Sequence, residues 1–289
     1  MVTRYGNEQK LNMVRYFYLP LFFLLLSICG VTCSDNRKGP VLHLPFNGNA
    51  DNEADTTNNG IVYGPTPVAD RNGNINAAYS FDGIDDYITL GGSLGNFGYG
   101  DFTFALWCRT DNTEIMSVIG KWPICGHGQF FTLRASNTYA QFEIDGSMAS
   151  PPENPYYVLF PKTFDGSNSV WRHFAFSRKA DSLTLYIDGV PSDSTIKPVA
   201  NLMNTAPLYL GFGPCVGVDG TRWFKGDMDE VYIYNRALSN KEIRCLMDSS
   251  TITTTDSYIH TGITVLLGIS ATAIFFIKGY RRLRAGLLP

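Results

Sequence analysis

The 289-residue sequence has only four histidines and six cysteines, and its formal net charge is −3. His43, His127, His173 and His260 are scattered, and no GxSxG, HExxH or paired CxxC accompanies them. Serine-hydrolase chemistry and zinc chemistry therefore have no recognisable ligand or nucleophile set. No basic excess marks the middle of the chain. Ser34 to Ser257 carries 25 acidic and 16 basic residues, a net charge of −9. A phosphate-binding footprint needs the opposite sign, which excludes nucleic acid as the expected partner. There is no N-x-S/T sequon between Ser34 and Ser257, so N-glycosylation is not expected there. No strand–helix–strand rhythm is visible either.

What the chain does have is apolar and aromatic residues. Hydrophobic residues make up 44% and aromatics 13%, enough for a core and too much for a disordered chain. The 28 glycines, 16 tyrosines and 19 phenylalanines favour β structure with frequent turns.

Two apolar runs stand at the ends. YFYLPLFFLLLSICGV follows Arg15 and leads to small residues, the layout of a secretory signal over residues 1–33. Starting at Met13 gives the more usual length. Val31 and Cys33 suit a cut before Ser34; lipidation at Cys33 and an uncleaved anchor are the alternatives. Near the other end, Ile259 to Ile277 is uncharged, and Lys278, Arg281, Arg282 and Arg284 follow at once. As a helix (residues 258–277) this stretch spans roughly 28 Å, close to the bilayer hydrocarbon thickness. The cations belong on the cytoplasmic side, which expects the large domain outside and a basic tail over 278–289 inside. Residues 248–257 include SSTITTTDS, a Ser/Thr-rich stalk. The expected localisation is a single-pass membrane protein with an extracellular domain.

Cys29 and Cys33 fall in or beside the signal, leaving Cys108, Cys125, Cys215 and Cys245 in a secretory context where disulfides persist. Four cysteines allow three pairings. Cys125 and Cys215 both lie in Gly/Pro-rich loops, which favours pairing them with each other and Cys108 with Cys245. The alternative for Cys108 is a free buried thiol, because it alternates with Phe102, Phe104 and Leu106.

Residues 40–247 read as short alternating runs separated by turns. In FTFALWC, Phe102, Phe104 and Leu106 share one face, with Thr103, Ala105 and Trp107 on the other. Leu183, Leu185 and Ile187 alternate likewise. Asp82-Gly83 and Asp188-Gly189 read as hairpin-type turns. The one helix candidate is Ser239–Met247, with Ser239 as cap and Glu242 three residues on. About ten such strands predict an all-β, two-sheet antiparallel sandwich.

LHLPFNGNADNEADTTNNGIVYG and PVADRNGNINAAYSFDGIDDYITL are followed in order by FTFALWCRT, SVIGKW, WRHFAFSRKADSLTLYIDGV, PLYLGFG and FKGDMDEVYIYNRALSNKEI. In this order the blocks resemble the laminin-G-like branch of the concanavalin A-like lectin and glucanase jelly rolls, over residues 41–247. Pentraxins are related, but His173-Phe174-Ala175 stands where they carry a second cysteine. The resemblance implies a jelly roll that recognises a glycan or cell-surface protein. It also implies a structural calcium between the first loop and last strand, which nominates Asp51 and Asp229 with Asn49 or Asp227 nearby; the alternative is that these residues cap turns. Hydrolases on this fold use Glu-x-Asp-x-Glu. Here Glu143-Ile144-Asp145-Gly146-Ser147 lacks the third carboxylate, so no enzyme is expected. Trp122, His127 and Trp223 lie in or beside the cysteine loops and are the candidate sugar-stacking residues, unless the two indoles belong to the core. A structural spacer without a specific ligand is the runner-up reading.

Overall fold

The computed structural model describes residues 38–126, 128–146, 156–159, 163 and 169–248, with only the backbone considered at 156–159. The expected signal segment, His127, residues 249–257 of the expected stalk, the expected transmembrane span and the expected tail lie outside the described residues. Among those described, no helix is long and apolar enough to cross a membrane.

Two antiparallel sheets face each other. One has the order β13 (Val190–Ile196), β12 (Ser182–Ile187), β11 (Arg172–Lys179), β6 (Phe102–Arg109), β15 (Lys225–Tyr234), β4 (Ala78–Asp82), β3 (Thr66–Val68), and β1 (Leu42–Leu44) also pairs with β15. The other runs β10 (Tyr156–Leu159), β9 (Ala140–Gly146), β8 (Gln129–Ala135), β7 (Met116–Lys121), β14 (Leu208–Leu210), β5 (Tyr87–Leu90), β2 (Ile61–Tyr63). This is the expected all-β jelly-roll sandwich.

The period-2 pattern decides which side chains meet between the sheets. Phe102, Phe104 and Leu106 of β6 are fully buried, as are Leu185 of β12 and Phe176 of β11. They meet Phe131, Leu133, Phe142 and Ile144 of β8 and β9 in one core cluster. Each such ring removed from water contributes about 1.5–3 kcal/mol. Two cations are buried at the edge of this core and hold loops. Arg178 donates to the carbonyls of Gly98, Gly100 and Ala200, and Lys121 to those of Gly92 and Ala206.

Two local readings are refined. Asp188 (φ 50°) and Gly189 (φ 69°) do turn β12 into β13. Asp82-Gly83, by contrast, is not a hairpin: β4 belongs to the eight-stranded sheet and β5 to the seven-stranded one. The chain crosses between layers there, with the Asp86 carboxylate accepting the Asp82 backbone N–H at 2.8 Å. The helix, α1 (Asn240–Asp248), starts on the expected capping box. Glu242 accepts from the Ser239 N–H at 2.7 Å, and Ser239 Oγ accepts from the Glu242 N–H at 3.3 Å. Leu238 and Ile243 pack onto Ala105, Ala175, Tyr186, Tyr232 and Tyr234, on the outer side of the eight-stranded sheet. That contact explains why Thr103 and Ala105, predicted to face away from the core, are buried too.

Candidate functional site

On β5, Ile88 and Leu90 point into the core, so Tyr87 and Thr89 point out. Tyr209 points out between Leu208 and Leu210 of β14, and Tyr63 ends β2 on the same outer face. Strand register sets Tyr63 opposite Tyr87 and Tyr209 opposite Thr89. The Tyr63 and Tyr87 rings stack at 4.7 Å. Beyond β14, Gly211 (φ 83°) swings the chain past Phe81 and the Asp86 carbonyl, where an added Cβ would sit 2.7 Å from the Phe81 ring. That close passage sets Phe212 5.2 Å from Tyr209 and 4.6 Å from Trp223, which stacks on it. Tyr87 lies 6.0 to 6.2 Å from Tyr209, Phe212 and Trp223 and so forms the hub. None of the five rings is buried, and Tyr63 is 45% exposed. A contiguous aromatic surface left in water is a mark of a binding face rather than of packing.

The loop beside this face is closed by the expected disulfide, Cys125–Cys215, with Cα atoms 4.7 Å apart. Trp122 does not join Trp223. It is 6% exposed, stacks on Phe130 at 4.0 Å beneath the Arg134 guanidinium, and donates its indole N–H to the Gly126 carbonyl. With Cys125 and Cys215 it forms a small packed cluster. Of the three residues nominated for stacking, Trp223 lies on the aromatic face, Trp122 in this packing, and His127 outside the described residues.

The laminin-G-type family described as the concanavalin A-like lectin/glucanases superfamily matches residues 81–244. The chain belongs to that superfamily. Among solved structures, this concanavalin A-like domain is similar to three toxin binding domains. For that of Paraclostridial Mosquitocidal Protein 1, the TM-score is 0.53 at 16% identity, covering 69% of this chain and 49% of that one. For botulinum neurotoxin serotype D the values are 0.54, 12%, 74% and 51%. For botulinum neurotoxin DC in complex with SialylT they are 0.55, 14%, 74% and 52%. At these identities the likeness is one of fold, and the match spans about half of each toxin domain. No characterised protein matches in sequence.

The acidic groups of this concanavalin A-like domain are placed differently from expectation. Glu143 and Asp145 share the outer side of β9, but both are buried. Glu143 lies 3.7 Å from Arg134, and Asp145 accepts the Gly128 N–H at 3.4 Å, so neither carboxylate faces open space. Asp229 is buried and ion-paired with Arg71, whose side chain is only 7% exposed. Burial pushes the Asp229 carboxyl up to about 7 against the pull of Arg71. Asp51 is exposed, and its backbone N–H is held by the Asn49 side chain; Asp227 pairs with Arg109 at 2.6 Å. The Arg71 guanidinium stands where a cation on Asp229 would, so these residues do not fit the calcium site that the resemblance implied. Asp82, Asp85 and Asp86 do cluster, but Asp82 and Asp86 are spent on backbone N–H groups of the crossing turn.

The second expected disulfide is corrected. Cys108 is a free, buried thiol, pushed up in pKa first by burial and then by Asp188. Its side chain points between the sheets with Leu106 and Phe104, where Cys245 on the outer helix cannot reach it. Cys245 is disulfide-bonded, but not to Cys108.

Proposed function

We propose that the protein is a membrane-anchored, extracellular recognition module that binds carbohydrate on the platform of Tyr63, Tyr87, Tyr209, Phe212 and Trp223. One observation carries this reading: five aromatic rings from four separate segments meet on one outer sheet face and remain partly in water. A pyranose presents a face of C–H groups that stacks on such rings, and the rings lose little conformational entropy on binding. The lectin-type fold is compatible with this use, and the toxin domains that it resembles are binding domains. Anchoring rests on the apolar run 259–277 with its basic flank. We read the domain as non-catalytic, because the carboxylates nearest to a hydrolase pattern, Glu143 and Asp145, are shielded.

The test is a glycan-array screen of the full chain, with Trp223→Ala as the control. Losing a central stacking ring costs about 2 kcal/mol, roughly 30-fold in affinity. The variant should melt with the parent, since Trp223 is outside the core. Array hits that Trp223→Ala and Tyr63→Ala retain at full strength would sink the platform reading. An array without hits would favour a surface protein, or a spacer role, over a glycan.

A further inference from the structure

The opposite side of the sandwich carries a cavity of about 480 Å³, lined by Arg71, Asn72, Trp107, Ser169, Val170, Trp171 and Met247. It lies on the outer face of the eight-stranded sheet, next to the end of α1. We propose that Arg71, Trp107 and Trp171 frame a second binding pocket, separate from the aromatic platform, that takes the carboxylate of an acidic sugar.

Arg71 Nη2, Trp107 Nε1 and Trp171 Nε1 are all buried and have no partner. Guanidinium and indole nitrogens can only donate, and a buried donor without an acceptor costs about 1–3 kcal/mol. Three such donors on side chains that line one cavity are far from the usual satisfaction of buried polar groups. The surrounding contacts leave them no acceptor. Arg71 spends Nη1 on Asp229 and lies 4.9 Å over the Trp107 ring, while Arg109 covers the Trp171 ring at 5.0 Å. With the indole faces covered by guanidinium groups, the N–H edges are what remains for a ligand. Behind Trp107, His173 Nδ1 is also buried and unpartnered.

The complementary ligand group has lone pairs and no protons to offer. A carboxylate has two such oxygens, one for Arg71 Nη2 as a charge-assisted bond and one for an indole N–H. The volume suits a single sugar ring, at the lower end of small-ligand sites. Val170, 52% exposed, and Met247 supply apolar wall for its C–H face. The donor nitrogens are screened from water, so lining side chains shift for a ligand to reach them, and Asn72 and Val170 are exposed members of that lining.

The test follows the four indole N–H resonances of the ¹⁵N-labelled full chain in detergent during titration with sugars. Methyl glucuronide or N-acetylneuraminate should move the resonances of Trp107 and Trp171, and Trp171→Phe should remove one of those two. Methyl glucoside, the neutral counterpart, should move neither. Val170→Trp closes the mouth from an exposed position and should abolish the shifts. Arg71→Lys should weaken binding at least tenfold if it folds. Trp223→Ala should leave the titration unchanged, which separates this pocket from the platform. No shift with either acid, an equal shift with the glucoside, shifts that survive Val170→Trp, or shifts lost in Trp223→Ala would each overturn the proposal.

Discussion

Phe142 of β9 and Phe176 of β11 stack with ring centroids 3.5 Å apart and join the two sheets across the core. Both are buried, and both also contact Phe104, at 5.0 and 6.0 Å. Phe142→Ala should destabilise the domain by about 3–5 kcal/mol, the cost of a lost ring plus the cavity left behind. Denaturant unfolding measures it. A loss under about 1 kcal/mol would mean that the sheets close over the gap.

Thiol chemistry separates the two cysteine environments. Within residues 38–248, alkylation of the denatured, unreduced protein should modify Cys108 and no other cysteine, while native protein should resist even there. Replacing both Cys125 and Cys215, which close a 90-residue separation, by serine should cost about 2–4 kcal/mol of stability. Peptide mapping reads the first result and a thermal melt the second. Labelling of native Cys108 would contradict its burial.

The pH dependence contains two opposed contributions. Burial, then the Arg71 charge, pushes buried His173 down to about 3 from 6.5. The unfolded chain therefore takes up this proton first, and stability is lost as pH falls from about 6.5 toward 3. Asp229 is raised to about 7 from 3.8, so its contribution is present at low pH and lost as pH rises through 7. The two slopes offset each other between about pH 4 and 6.5. His173→Gln should unmask the Asp229 slope, gaining roughly 2 kcal/mol relative to the parent between pH 6.5 and pH 5. Unfolding free energies at those two pH values decide it. Parallel pH profiles for parent and variant would refute the assignment.

Chelators should leave the melting temperature unchanged, because Arg71 already neutralises Asp229. Asp229→Ala should destabilise by about 3–5 kcal/mol with or without calcium, since it strands a buried guanidinium. A melt that rises with added calcium and falls with chelator would restore the cation site.

Topology is tested on intact cells. Added protease should remove residues 38–248 and spare an epitope at Pro289, as the basic flank of the apolar run requires. Loss of that epitope would reverse the orientation.

Much of this architecture is legible in short-range pattern. The alternation of Phe102, Phe104 and Leu106, the capping box at Ser239 and Glu242, and the Asp188-Gly189 turn are all fixed within a few residues. The loop composition around Cys125 and Cys215 was enough to pair them. What is not legible depends on long-range placement. Asp82-Gly83 has turn chemistry, but only packing decides that β4 and β5 enter different sheets. Trp223 could be singled out alone. Tyr63, Tyr87, Tyr209 and Phe212 become a platform only through the register of β2, β5 and β14, although outward tyrosines in YITL and LYL were a signal. Arg71 and Asp229 are 158 residues apart, and nothing local links them.

Pairing of Leu42 with Ile233 and Leu44 with Val231 sets the first strand antiparallel to the last, and the Val41 N–H donates to the Ile233 carbonyl at 2.7 Å. The chain thus enters the sandwich and leaves β15 at neighbouring points, at the same end of the β1–β15 ladder. Tension drawn between those two points would open the β1–β15 ladder one rung at a time, like a zip, rather than shear all its bonds together. The sandwich is therefore weak against a pull that separates its first strand from its last.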